Sequence, residues 1–182
     1  MAASGFEMVR YADDFVIMCR SEAAAQRALA LVQQWTVEAG LRLHPEKTRI
    51  VEATQPGGFD FLGYHFEGGL RWPRKKSLKK LKDNIRVLTK RTNGHSLPVI
   101  ISRVNPVTRG WFGYFKHSRT TTFTDLDKRI RMRLRSILRK RRKLRGRGRG
   151  RDHQRWPNAF FAAQGMFSLA QAHATLRQPS RR

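Results

Sequence analysis

The sequence predicts an α+β protein in two parts: a small antiparallel sheet with one packed helix, then a basic all-α bundle. Three observations carry this. Apolar residues cluster in short strand-like runs up to about residue 66 and recur at helical spacing from there to about residue 143. The charge divides at the same place: residues 1–70 hold six Lys/Arg against nine Asp/Glu, a net of −3, whereas residues 71–182 hold 32 against four, a net of +28. Gly68-Gly69 marks the division. At 182 residues with 40% apolar side chains, the chain is long enough to bury a core in one domain or two small ones.

Phe6 to Arg10 and Phe15 to Cys19 read as two strands joined at Tyr11-Ala12-Asp13-Asp14. Ser21 is a good helix N-cap with Glu22 in the first turn, and Ala24, Ala28, Leu31, Val32, Trp35 and Ala39 follow at helical spacing until Gly40 stops the helix. Leu41 to Leu43 alternates before Pro45 breaks it. Thr48 to Glu52 reads as a strand, and the turn Gln55 to Gly58 leads into a further strand over Phe59 to Phe66. Strand, strand, helix, strand, strand is an α+β order.

Beyond the paired glycines, Ser77 to Arg91 is a basic amphipathic helix with Leu78, Leu81, Ile85 and Leu88 on one face. Ser96 and Pro98 open another, which Pro106 should kink or restart because proline lacks the amide donor and clashes with the preceding turn. Trp111, Tyr114 and Phe115 stand at helical spacing, which favours core packing over base stacking. A helix from about Thr124 to Lys143 turns Leu126, Ile130, Leu134, Ile137 and Leu138 inward. Arg145 to Arg151 alternates Arg with Gly and reads as a flexible basic loop; Trp156 to Leu169 is apolar again, and Gln178 to Arg182 should fray. The expected domains are therefore 1–70, 71–145 and 146–182.

A net charge of +25 requires a polyanionic partner, and nucleic acid is the default because every phosphate neutralised releases counterions. No run of about 18 apolar residues speaks for a membrane. Arg74, Lys75, Lys76, Lys79 and Lys80 form one dense cationic cluster and Arg139, Lys140, Arg141, Arg142 and Lys143 another; these are the candidate RNA-binding residues. The single Cys19 excludes a disulfide or thiolate–zinc framework and reads as a small buried hydrophobe. No signal peptide is visible, which implies an intracellular, non-secreted protein such as a bacterial cytoplasmic one.

Two adjacent carboxylates at a hairpin are unusual, because like charges repel unless a cation is shared. A purely structural two-residue turn favours Asn-Gly or Asp-Gly. Further signals follow at set distances: Gly40-Leu41-Arg42-Leu43 with His44-Pro45-Glu46-Lys47-Thr48, then Phe61-Leu62-Gly63-Tyr64. Together with Arg71-Trp72-Pro73 and Arg109-Gly110-Trp111-Phe112-Gly113-Tyr114-Phe115, these motifs resemble, in order, the later palm, thumb and maturase regions of the reverse transcriptases encoded by group II introns. The resemblance covers most of residues 6–145. It implies a truncated palm remnant followed by a thumb/maturase helical bundle.

The same resemblance implies roles. Asp13 and Asp14 match the metal-binding pair, with Asp13 the direct Mg²⁺ ligand and Asp14 supporting; in the family, two Mg²⁺ ions held with a carboxylate from an earlier strand activate the primer 3′-hydroxyl and steady the leaving pyrophosphate. Tyr11 would lie beside template and primer, or serve as a strand aromatic. Lys47 would stand near the incoming nucleotide, or be a solvated loop lysine. Gly63 would admit the primer backbone, or mark a bulge. The family's third carboxylate and its fingers have no counterpart within these 182 residues, so the chain alone is expected not to polymerise. Three readings stay open: a C-terminal piece that binds intron RNA and assists splicing or mobility, a half-enzyme completed by a separately encoded N-terminal half and a DNA primer, or a stand-alone RNA-binding module.

Overall fold

The computed structural model describes residues 5–146 and 150–178. It is an α+β protein that divides into two compact units, Met1–Gly69 and Leu70–Arg182.

In the first unit, β1 (Glu7–Tyr11) and β2 (Asp14–Met18) pair antiparallel with Val9 opposite Val16 and Tyr11 opposite Asp14. Helix α1 (Glu22–Glu38) begins where the sequence places it, the Ser21 hydroxyl accepting from the Ala24 amide at 3.2 Å. It ends in a Schellman closure: Gly40 at φ +66° donates to the Val37 carbonyl and Leu41 to that of Thr36. Only Ala28, Val32 and Thr36 of this helix are buried.

Two expectations for this unit need correction. Thr48–Glu52 is not a strand; the chain turns at Pro45 to Lys47, with the Lys47 and Thr48 amides on the His44 carbonyl, and runs irregularly to Gly58. Alternation makes a strand only where a neighbour offers a ladder, and among the described residues none does so for this segment. Phe59 to Phe66 is not one strand but the hairpin β3 (Phe59–Phe61) and β4 (Tyr64–Glu67). Its two-residue turn puts both Leu62 (φ +47°) and Gly63 (φ +80°) in the left-handed region, which glycine enters without steric cost. Phe59 stacks on Phe66 across this hairpin, centroids 5.1 Å apart.

The second unit starts with β5 (Leu70–Pro73) and continues through α2 (Lys75–Leu88), α3 (Leu97–Phe115) and α4 (Thr120–Arg141), then α5 (Asp152–Arg155), α6 (Asn158–Ala163) and α7 (Leu169–Arg177). The predicted inward faces are the observed ones: Leu81 and Ile85 of α2, Ile100, Ile101, Val104 and Phe112 of α3, and Leu126, Ile130, Leu134 and Ile137 of α4 share one core with Phe123. Pro106 does not restart α3, which is a single 19-residue helix. Buried side chains on both sides of the proline pack into the same core, and that packing outweighs one lost helical hydrogen bond. Asn105 helps fix the spot, donating to the Gly165 carbonyl at 2.8 Å and accepting from the Phe167 amide at 2.9 Å.

The segment that composition sets apart as loop and tail, 146–182, gives Trp156, Phe161 and Leu169 to this core. Asp127 is what docks it. This buried carboxylate accepts from the Ser168 hydroxyl at 2.7 Å and from the Leu169 and Ala170 amides at 3.1 and 3.2 Å, satisfying two of the orphan donors of α7. Residues 147–149 of the expected Arg-Gly loop, and 179–182 of the expected frayed end, lie outside the described residues.

Candidate functional site

The Tyr-Ala-Asp-Asp turn is a two-residue hairpin whose central residues are Ala12 and Asp13. Ala12 takes the left-handed conformation at φ +52°, which costs an L-residue roughly 1–2 kcal/mol. The Arg10 guanidinium donates to the Ala12 carbonyl at 2.8 Å and braces the turn. Tyr11, Asp13 and Asp14 are exposed, Tyr11 at 66%. A strained, exposed corner carrying two carboxylates is a plain place to offer oxygen ligands.

Hard oxygen donors are what Mg²⁺ takes, and one or two carboxylates with waters complete its octahedron. Asp13 and Asp14 fit that donor chemistry. Among the described residues, no group of three or more His, Cys, Asp or Glu side chains converges as a metal cluster. Lys47 is exposed on the 45–47 turn, and Gly63 occupies its hairpin turn. Tyr11, Asp13, Asp14 and Lys47 make no side-chain hydrogen bond or ion pair with one another among the described residues.

The second unit shows why its charge faces outward. Two of its four acids, Asp127 and Asp152, are buried and structural; the other two are locally matched, Asp83 by Lys79 at 2.9 Å and Asp125 by Lys128 at 3.6 Å. The Lys79 hydrogen bond holds the Asp83 carboxyl below the usual range, and the charges of Lys79, Arg86 and Arg129 act in the same direction. Arg74, Lys75, Lys76, Lys79 and Lys80 are all exposed at the start of α2.

The cluster at the end of α4 is less uniform than its sequence suggests. Arg139 is committed to Asp152 at 2.7 Å and to the Arg145 carbonyl, Arg141 donates to the His95 carbonyl, and Arg142 lies over the Trp156 ring. Among the described residues, the ammonium groups of Lys140 and Lys143 carry no such tie. Spacing along one helix could not reveal this, because the partners come from 13 or 46 residues away.

Sequence reasoning also missed cations that tertiary packing gathers. Arg133 reaches the end of α2, donating to the Thr89 hydroxyl at 2.5 Å and to the Arg86 and Thr89 carbonyls. Burial lowers its pKa, and the nearby charges of Arg129 and Arg86 lower it further. Arg119 lies over the Trp72 ring, 4.5 Å from its centroid. For Arg133 the signal was present only as helical phase, since it stands one turn from Arg129 on α4; the pairing of Arg119 with Trp72 left no signal at short spacing.

Among the described residues, no helix is long and apolar enough to cross a membrane. A comparison with curated proteins returns no match. Two family models do match, in order and without overlap: Reverse transcriptase (RNA-dependent DNA polymerase) over residues 2–66, and Group II intron, maturase-specific domain over residues 78–156. The first takes in the paired-aspartate turn, the lysine segment and the Phe-Leu-Gly hairpin, and the second takes in α2 to α5. The chain belongs to the group II intron-encoded reverse transcriptase/maturase family.

Proposed function

We propose that this chain binds group II intron RNA through the cationic surface of its second unit, assisting splicing or mobility, and that these 182 residues do not polymerise DNA by themselves. The observation that carries the reading is the fate of the four acids among 32 cations: each is buried or locally matched, so the helical surface presents net positive charge. Residues 1–70 are the end of the palm, and 71–145 the thumb and maturase helices, with α5 to α7 completing their core. Asp13 would hold Mg²⁺ directly, with Asp14 in support, and the ion when bound supplies charge stabilisation at the reacting phosphate. Tyr11, Lys47 and Gly63 line the path of primer and nucleotide.

Two measurements test this. Affinity for a structured group II intron RNA should fall steeply and linearly in log[KCl]; salt-independent binding would overturn the reading. Primer extension on poly(rA)/oligo(dT) should give no product, and incorporation abolished by Asp13→Ala would overturn the second half.

A second reading has its own support. Val37, Tyr11 and Trp35 are 77%, 66% and 55% exposed, and apolar surface of that kind suits a partner. It makes the chain one half of a split polymerase, recovering primer extension on a DNA primer when a separately encoded N-terminal half is added.

A further inference from the structure

The second unit holds a cleft of about 280 Å³ between β5, α2 and the first turns of α4. Trp72, Lys82, Arg119, Thr122, Asp125 and Arg129 line it, with an apolar floor from Leu78 and Leu126. Three of the six are cations and one is aromatic. The Arg129 Nε is buried without a hydrogen-bond partner among the described residues, a costly state for a guanidinium donor. The Arg119 guanidinium lies over Trp72, 4.5 Å from the ring centroid, which sets a cation beside an aromatic face at the cleft. The start of α4 adds to this: its N-cap, Arg119, makes no side-chain cap and its first turn holds no acid, leaving the positive end of the helix dipole uncompensated.

These features call for an anion with an apolar flank. The volume lies at the lower end of small-ligand clefts, which admits one nucleotide and excludes a paired helix. We propose that the cleft takes a single unpaired nucleotide of the bound RNA, its phosphate on Arg129, Lys82 and Arg119 and its sugar and base edge against Trp72, with Asp125 accepting from a ribose hydroxyl. The proposal rests on the RNA-binding reading above and deepens it: the unit reads an unpaired position of the RNA in addition to a field of phosphates. None of these six residues belongs to the dense lysine and arginine runs of the sequence.

Two experiments on the full chain separate this proposal from that reading. In the first, the indole N–H signal of Trp72, assigned by Trp72→Phe, is followed by NMR as uridine 5′-monophosphate is added. It should shift in the wild type, shift partly with inorganic phosphate, not shift in Arg129→Gln, and recover in part in Arg129→Lys, whose spectrum also reports that the fold persists. No shift in the wild type overturns the cleft even where intron RNA binds well; a shift in a chain that binds no intron RNA keeps the cleft and removes the general reading. In the second, a ten-nucleotide oligouridylate and a ten-base-pair RNA duplex are compared. Arg129→Gln should weaken the single strand about 10-fold, as loss of one charged hydrogen bond does, and the duplex far less. Lys140→Gln should weaken both equally. Equal losses from Arg129→Gln on both probes would show a diffuse cation only, and overturn the proposal.

Discussion

The two units solve the problem of burial differently. The second closes a continuous core from α2, α3, α4 and the residues after 150, in which Phe123, Ile130, Leu134, Ile137 and Phe161 are fully buried. Among its described residues, the first buries three positions of its helix and one glycine backbone, and exposes Met8, Val9, Met18, Leu31 and Trp35. Yet the first carries the paired carboxylates and the second carries the charge. The unit with the sharper sequence motif is thus the less self-sufficient, whereas the unit with the blunter signal, a run of basic helices, is held by its own contacts.

The comparison can be broken most severely in the core. Phe123→Ala should cost about 3–5 kcal/mol by transfer and cavity terms, lowering the urea midpoint followed by near-UV circular dichroism, while amide exchange in α1 stays unchanged. Asp127→Ala should cost roughly 3 kcal/mol, because it strands three donors around α7 and removes the charge facing Arg131 at 3.8 Å; faster exchange at 169–177 would localise the loss. Trp35→Ser, on the exposed side of the first unit, should change stability, read from the urea midpoint, by less than about 0.5 kcal/mol. A large stability loss there would contradict the exposure of Trp35 and break the contrast between the units.

The smallest expected effect is a pH dependence. His173 of α7 is buried with its ring 4.6 Å from that of Phe123, and burial lowers its pKa from the ordinary 6.5, with the Arg177 charge adding to the shift. The unfolded chain therefore binds this proton more readily than the folded one. Stability from this group is complete above pH 6.5 and declines as pH falls through that value toward the lower folded pKa. The melting temperature should drop modestly between pH 7.5 and 5.5, and His173→Phe should flatten the change.

Much of this was legible in residue order. Ser21 and Gly40 bracket α1 as read, because caps are local chemistry. The inward faces of α2 and α4 follow from 3.6-residue spacing. The misses have one cause. Thr48–Glu52 has strand-like residues and no neighbour, Pro106 has a helix-breaking ring and a core that overrides it, and Trp156 to Leu169 looks detached until Asp127 caps α7. For the candidate site, the position of Asp13 in a hairpin turn was readable, while the strain at Ala12 was not, since φ at one residue depends on the register of two strands.

Sequence by itself determined the family motifs, the −3 and +28 halves and the helix faces, because each depends on residue identity at short spacing. Tertiary structure alone decided which cations are tied to acceptors of the fold itself, as Arg139 and Arg141 are, and which gather at a cleft, as Lys82, Arg119 and Arg129 do. The physical reason is that a guanidinium is satisfied by whatever acceptor the fold brings within about 3 Å, and such acceptors come from residues far along the chain.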